Sequence, residues 1–213
     1  MDKQLFSYCR AAGVLICAAA LSLSSCSDKE KTPPTAKEVA IEKLEEQGVA
    51  LTLASMCEAI RVGNQEQVRL LIEAGIDVNK TNYRGDTPLC WAAKGGLSEH
   101  VKLLLAAPGI DVNKAARYGD TPLYCAAERG HSECVKLLLA APGINVNNAA
   151  MYGETPLYRA AEKGHSECVK LLLAAPGIDV NKANNWGNTP LSTAAYYLRS
   201  ECVKLLEAAG AKK

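Results

Sequence analysis

The chain has 213 residues, of which 48% are hydrophobic, 5% aromatic and 22% charged, with a formal net charge of +1. Its 24 basic and 23 acidic residues become 22 and 22 after Cys26, because Asp2, Lys3 and Arg10 precede that position. Such a balanced charge gives no electrostatic reason to expect nucleic acid or an anionic membrane surface as a partner. The composition is that of one or two small globular domains with a core of Leu, Val, Ile and Ala.

Residues 1–25 have the features of a targeting segment. Lys3 and Arg10 precede the apolar run AAGVLICAAALSL, Ala11–Leu23, which has the length of a signal-peptide core and is too short to span a bilayer. The run ends in LSSC, and this pattern resembles the lipobox of bacterial lipoproteins. The resemblance implies a signal peptide of residues 1–25 and lipidation of Cys26. An ordinary cleaved signal and a buried apolar helix are the alternatives.

Lipidation implies a location in the bacterial cell envelope. Ser27 rather than Asp follows Cys26, and by resemblance to lipoprotein sorting rules this favours the outer membrane. The charged stretch SDKEK is similar to tracts that direct some lipoproteins to the cell surface, so both the periplasmic and the surface face stay open. Residues 26–34 then form the lipidated cysteine and a polar tether that ends in proline.

A helix is predicted over residues 35–48. Thr35 and Glu38 have the spacing of a capping box, and apolar residues follow up to Gly48. We expect this helix to cap the domain that follows, and a free stalk helix is the alternative.

The rest of the chain is repetitive. TPL recurs every 34 residues, at Thr87, Thr121, Thr155 and Thr189, and VKLL recurs with the same spacing, at Val101, Val135, Val169 and Val203. A related stretch at Val68 lies 33 residues before Val101. The spacing predicts five units, which are residues 49–81, 82–115, 116–149, 150–183 and 184–213.

Each unit predicts two short helices and a turn. Thr87 is suited to an N-cap and Pro88 to the first helical position, and Gly96 ends this helix. A second helix carries Val101 and Leu104 on one face, and a hairpin-like turn leads to the next unit. Helices this short do not persist alone, so neighbouring units must stack into a solenoid.

The motif G-x-TPL-x-x-AA-x-x-G-H-x-E-x-V-x-LLL is similar to the ankyrin repeat. The resemblance implies an all-α ankyrin-repeat solenoid of about five repeats plus the N-terminal capping helix. The family's usual histidine after TPL is replaced here, by Cys90, Tyr124, Tyr158 and Ser192. In the last repeat Leu198 stands where the others have the helix-ending glycine, and a left-handed backbone there costs about 1 kcal/mol or more.

Metal binding and catalysis find little support. The pairs His131/Cys134 and His165/Cys168 occupy equivalent positions in stacked repeats, about 8–10 Å apart, so they cannot share one tetrahedral metal. We expect no metal and no cofactor. The sequence has no motif of a serine hydrolase, a P-loop, a zinc protease or a dinucleotide site, so we expect no enzymatic activity.

The cysteines after Cys26 are predicted to be free thiols. Equivalent cysteines in stacked repeats lie farther apart than the approximately 7 Å between Cα atoms that a disulfide tolerates. A bond between non-equivalent positions, such as Cys90 and Cys125, is the alternative.

The candidate binding residues lie in the turns and first helices. In the ankyrin family these two elements form the concave recognition surface, and Tyr, Trp and Arg are the residues most enriched at interface hot spots. One turn position carries Arg84, Tyr118, Tyr152 and Trp186 in successive repeats. The full candidate set is Tyr83, Arg84, Trp91, Tyr118, Tyr152, Arg159, Trp186, Tyr196 and Tyr197.

The sequence thus favours a monomeric, non-enzymatic scaffold that is anchored in the envelope by lipid and binds an unidentified protein. The alternative function is an envelope stress protein that buffers metal or oxidant with its Cys and His residues.

Overall fold

The structure, a computed structural model, describes residues 33–212. The predicted signal peptide, the lipidation of Cys26 and all but the last two residues of the tether lie outside the described residues. Within them the chain forms eleven helices and no strand. The helices are α1 (Ala36–Glu46), α2 (Leu53–Val62), α3 (Gln65–Glu73), α4 (Pro88–Lys94), α5 (Ser98–Leu105), α6 (Pro122–Arg129), α7 (Ser132–Leu139), α8 (Pro156–Lys163), α9 (Ser166–Leu173), α10 (Pro190–Tyr196) and α11 (Ser200–Ala208).

The helices form two stacked layers. The even-numbered helices from α2 to α10 pack on one another as an inner layer, and the odd-numbered helices from α3 to α11 pack as an outer layer. Each outer helix also packs on the inner helix of its own repeat. This arrangement confirms the predicted all-α repeat solenoid. No helix within residues 33–212 is both long enough and apolar enough to cross a membrane.

The inner helices begin where the TPL motif places them. The Thr87 hydroxyl oxygen accepts a hydrogen bond from the backbone N–H of Cys90 at 3.1 Å, and Pro88 occupies the first helical position. The same cap recurs at Thr121, Thr155 and Thr189. Because such a cap contributes about 1 kcal/mol, the motif determines where α4, α6, α8 and α10 start.

The core lies between the two layers. One leucine is buried in each of the inner helices α4, α6, α8 and α10, namely Leu89, Leu123, Leu157 and Leu191, and one in each of the outer helices α5, α7, α9 and α11, namely Leu104, Leu138, Leu172 and Leu206. Full burial of a leucine side chain stabilises a fold by about 1.5–3 kcal/mol. Since these helices also pack against the equivalent helices of neighbouring repeats, the units are stable only as a stack.

Helix α1 caps the first repeat, as predicted. Thr35 and Glu38 form the expected capping box, with the Thr35 N–H donating to Glu38 Oε2 at 2.7 Å. Ala40 and Leu44 are buried, and the helix packs against α3. Helix α1 therefore takes the position of a further outer helix, and it covers the end of the outer layer.

Asparagine side chains join successive repeats on the outer side of the turns. Asn113 Nδ2 donates to the Gly143 carbonyl at 2.8 Å, and Asn113 Oδ1 accepts from the Asn145 N–H at 2.8 Å. The same bidentate contact is made by Asn79 and Asn147, and Asn181 Oδ1 accepts from the Lys212 N–H at 2.7 Å. The sequence analysis did not find this role, although the asparagines recur every 34 residues.

The glycines after the inner helices accommodate the next repeat. Gly130 has φ 75°, and a Cβ placed there would lie 2.6 Å from the His165 ring. His165 Nε2 in turn hydrogen-bonds to the Glu128 carbonyl at 3.0 Å. His165 therefore packs against the end of the preceding inner helix. Leu198 takes the same left-handed conformation, with φ 56°, and within residues 33–212 no further repeat packs against it.

Candidate functional site

The surface that corresponds to the concave recognition face of ankyrin repeats, here called the concave face, is built from the turns and the inner helices. At each turn tip a glycine with positive φ allows the chain to reverse, as at Gly119 and Gly153. Neighbouring tips are linked by backbone hydrogen bonds, from Met151 N–H to the Tyr118 carbonyl at 2.9 Å and from Asn185 N–H to the Tyr152 carbonyl at 3.0 Å. Because of these links the turn-tip side chains of successive repeats lie side by side.

Three aromatic side chains form a row along these tips. Tyr118, Tyr152 and Trp186 are 56%, 49% and 64% exposed. The rings of Tyr152 and Trp186 lie 5.4 Å apart between centroids, and the Arg117 guanidinium lies 5.7 Å from the centroid of Tyr118. We call Tyr118, Tyr152 and Trp186 the aromatic row. Large apolar side chains held this far out of the core are typical of a contact surface.

Arg84, the fourth residue of the predicted stripe, interacts within its own turn. Its guanidinium lies 5.3 Å from the centroid of the Tyr83 ring, and its Nε donates to the Tyr83 hydroxyl at 2.9 Å. Tyr83 is 87% exposed. Both side chains therefore lie at the surface next to the aromatic row.

A groove of about 870 Å³ crosses the first three repeats. Its aromatic lining residues are Tyr83, Trp91 and Tyr118, and its charged lining residues are Arg61, Arg84, Lys94, Arg117, Arg129, Asp86 and Asp120. A smaller pocket of about 430 Å³ adjoins it and shares Arg61, Tyr83 and Trp91 with it. We call the first the cationic groove and the second the α2 pocket. Five of the seven charged residues that line the cationic groove are basic.

The acids of the cationic groove are recessed. Asp86 is 8% exposed, and Asp120 is half-buried. Burial raises the pKa of the Asp120 carboxyl, and the carboxylate of Glu128 raises it further. The charge that a ligand meets at this surface is therefore mainly that of the arginine and lysine side chains.

The structure places Arg159 in a network of carboxylates. Its guanidinium donates to Glu128 at 2.8 Å and to Glu162, and it lies 3.7 Å from Glu154. It also lies 5.9 Å from the centroid of the Tyr124 ring, and only 19% of its side chain is exposed. These contacts join the third and fourth repeats. That Arg159 also contacts a partner stays a prediction.

Tyr124 and Tyr158 link repeats from positions where the family has histidine. Both are buried, and the Tyr124 hydroxyl donates to Glu154 of the next repeat at 3.2 Å. The Tyr158 hydroxyl accepts from Asn184 Nδ2 of the next repeat at 3.1 Å. Burial raises the pKa of Tyr124 well above its usual range. The two phenols thus form hydrogen bonds between successive repeats.

Tyr196 and Tyr197 lie at the end of the last inner helix. They are 80% and 46% exposed, and their rings meet edge to face with centroids 5.0 Å apart. They adjoin Leu198, which is 88% exposed. The structure therefore separates these two predicted binding residues from the cationic groove at the other end of the concave face.

The cysteines from Cys57 to Cys202 are free thiols, and five of the six are buried. Burial raises the pKa of Cys134 and of Cys168 to about 11. Cys90 and Cys125 lie close enough for a hydrogen bond between their side chains, which together with burial raises the pKa of Cys125. The same bond lowers the pKa of Cys90. Thiols with a raised pKa, such as Cys134 and Cys168, are largely protonated at neutral pH and react slowly as nucleophiles.

The described residues contain no group of three or more His, Cys, Asp or Glu side chains placed to hold a metal ion. Each His–Cys pair lies in its own repeat. The concave face offers aromatic surface, arginine side chains and a groove, which are features of binding surfaces.

A family model described as ankyrin repeats (3 copies) matches residues 51–150 and 142–213. No curated protein matches the chain. Ankyrin repeats generally mediate protein–protein interaction, and proteins of the family are typically non-enzymatic scaffolds. The helical layers, the repeat spacing and a match over most of the chain agree, and the chain belongs to the ankyrin-repeat family.

Proposed function

We propose that the chain is a lipid-anchored, non-enzymatic binding module of the bacterial cell envelope that recognises a protein partner with its concave face. The observation that carries the proposal is the aromatic row. Its three side chains are about half exposed or more, and the backbone bonds between turn tips hold them in line. Rigid aromatic side chains gain contact area at a small cost in conformational entropy, which suits them to a binding surface.

The anchoring rests on the sequence. The basic start, the apolar run and LSSC occur together, in the order that a lipoprotein signal requires. Several acyl chains on Cys26 make membrane attachment stable, because each buried CH₂ contributes about 0.8 kcal/mol. Outer-membrane attachment is favoured, and the repeats then face either the periplasm or the exterior.

The binding part is tested by cross-linking in intact bacterial cells. The wild-type chain is compared with a Tyr118→Ala/Tyr152→Ala/Trp186→Ala variant and with a Lys102→Ala/Lys136→Ala/Lys170→Ala control on the outer helices. The control is expected to recover the same protein as the wild type, and the aromatic variant is expected to lose it. Equal recovery by all three chains contradicts the proposal.

The anchoring part has a separate test. Cells are labelled with a fatty acid that carries an alkyne, and the wild-type chain is compared with Cys26→Ala. Label on the wild type and none on the variant supports lipidation. Label on neither chain overturns the anchoring and leaves the binding proposal intact.

The alternative function, metal or oxidant buffering, is disfavoured by burial. A scavenging thiol must be exposed and deprotonated, whereas burial raises the pKa of Cys57, Cys134, Cys168 and Cys202. Titration of thiols in the denatured, unreduced protein tests this. Six free thiols from Cys57 onward are expected, and a loss of two would point to Cys90 and Cys125, whose side chains the structure brings into contact.

A further inference from the structure

We infer that the cationic groove and the α2 pocket together bind an extended acidic segment of the partner, with carboxylates on Arg84 and Arg117 and an apolar side chain beside Trp91. This inference rests on the proposed function and specifies the chemistry of the partner.

The charge of the cationic groove favours an anionic ligand. Arg84, Lys94 and Arg117 line the cationic groove, and in residues 33–212 none of them lies within 4.0 Å of a carboxylate oxygen. Arg159, by contrast, is paired with three carboxylates. Unpaired cations beside recessed acids produce a positive surface on a chain whose overall charge is close to neutral. An anionic segment is the complementary ligand.

The guanidinium groups of Arg84 and Arg117 are oriented by neighbouring tyrosine rings in a way that favours carboxylate binding. Arg84 and Arg117 each lie over the tyrosine next to them in the chain. For Arg84, only Nε has a hydrogen-bond partner among the described residues, so its terminal N–H groups are available. A guanidinium held in place by a ring loses less freedom on binding, and its planar fork suits a bidentate carboxylate.

The α2 pocket provides apolar surface next to the cationic groove. The apolar lining residues of the α2 pocket are Leu53, Ala54, Cys57 and Trp91, and its polar ones are Glu58, Arg61, Thr81, Asn82 and Tyr83. The Glu58 carboxylate is paired with Arg61 at 2.6 Å. The pocket is open because α1 packs on α3, which leaves Ala54 of α2 exposed. A purely ionic ligand does not use such a pocket. A peptide that carries a Leu, Met or aromatic residue next to Asp or Glu fills the pocket and pairs with the arginines at once.

The shape of the site favours a peptide over a polyanion. The two cavities share Tyr83 and Trp91, so charged and apolar recognition lie in immediate contact. A sulfated polysaccharide or an anionic bilayer presents charge without an apolar side chain at that distance. Binding to either of these in place of a peptide contradicts the inference.

The test is selection of random twelve-residue peptides displayed on phage, with the full chain immobilised. Wild type is compared with Arg84→Glu/Arg117→Glu and with Lys136→Glu/Lys170→Glu, which makes the same charge change on the outer helices. Peptides enriched on the wild type and on the control are expected to carry Asp or Glu next to a large apolar residue. The groove variant is expected to lose this enrichment.

An enriched peptide is then synthesised, and its Kd is measured by fluorescence anisotropy. The arginine variant is expected to weaken binding by about 10-fold or more, and the outer-helix control by less than about 2-fold. Raising NaCl from 50 to 300 mM is expected to weaken wild-type binding, because the Debye length falls below about 10 Å. Circular dichroism of each variant checks that the helices are intact.

Three results overturn the inference. Enriched peptides that lack Asp and Glu, or that bind the arginine variant as well as the wild type, contradict the charge argument. If these peptides are enriched on the wild type but not on the Tyr118→Ala/Tyr152→Ala/Trp186→Ala variant, the proposed function stands and only the preference for acidic peptides is contradicted. If no peptide is enriched while heparin or phosphatidylglycerol vesicles bind, the site recognises polyanions. If cross-linking also gives equal recovery, the proposed function fails with it.

Discussion

Leu198 offers a sharp test of the packing argument. It is the only non-glycine residue with positive φ among residues 33–212, at 56°. A left-handed backbone costs an L-residue with a side chain about 1–2 kcal/mol, and the Leu198 side chain recovers none of this cost because it is 88% exposed. The equivalent Gly130 has φ 75° and is in contact with the next repeat.

Replacing Leu198 with glycine removes this strain. The unfolded chain gains freedom at a glycine, which offsets about 0.5–1 kcal/mol of the gain. The expected net result is a stabilisation of about 0.5–1 kcal/mol, or a rise in Tm of about 1–4 °C for a domain of this size. Urea unfolding followed by circular dichroism measures the free energy, and hydrogen exchange in α11 reports the last repeat separately.

Two controls separate strain from other causes. Leu198→Ala removes the exposed apolar side chain and keeps the strained backbone, so its stability is expected to equal that of the wild type. Gly130→Ala is expected to destabilise by about 1 kcal/mol or more, because the new Cβ meets both the positive φ and the His165 ring. Equal stabilisation by the Ala and Gly variants of Leu198 would show that the exposed side chain, and not backbone strain, is the cause of the gain.

Three further predictions concern single side chains. Arg159→Met removes the closest cation from the carboxylates of Glu128 and Glu162 and is expected to cost about 2 kcal/mol in urea unfolding. Lys163 lies 3.8 Å from Glu162 and is 41% exposed, so Lys163→Met is expected to cost less than about 0.5 kcal/mol. Equal costs contradict the network. Asn113→Ala breaks both bonds to the next repeat and is expected to cost about 1–2 kcal/mol in thermal unfolding, while Asn148→Lys, which introduces the residue found at Lys114, serves as a neutral control. Burial lowers the pKa of His100, whose Nε2 has no hydrogen-bond partner in the described structure. Below about pH 6.5, the pKa of an unperturbed histidine, the unfolded chain therefore binds more protons than the folded chain, and the free energy of unfolding falls as the pH drops from 7 to 5. His100→Cys introduces the residue found at Cys134 and is expected to reduce that fall. An unchanged dependence of stability on pH contradicts the assignment of this effect to His100.

Local sequence signals were sufficient to predict the helices of the units. The Thr-Pro motif placed the start of α4, α6, α8 and α10, since an N-cap bond spans only three residues. Thr35 and Glu38 predicted α1 for the same reason. The strain at Leu198 followed from its register in the repeat. The positions of Tyr118, Tyr152 and Trp186 at the turn tips, where all three are exposed, could also be predicted from the sequence. A fixed repeat period places equivalent residues at equivalent positions of the fold.

The tertiary structure alone decided which side chains meet across repeats. Arg159 was predicted as a binding residue from its type, but Glu128, 31 residues earlier, pairs with its guanidinium. Asn113 donates a hydrogen bond to the carbonyl of Gly143, 30 residues later, and no local sequence pattern predicts this contact. The cationic groove arises in the same way, because arginines of separate repeats converge while their nearest acids are recessed. A repeat period determines the register of each residue, whereas pairing depends on rotamers and distances that exist only once the units are stacked.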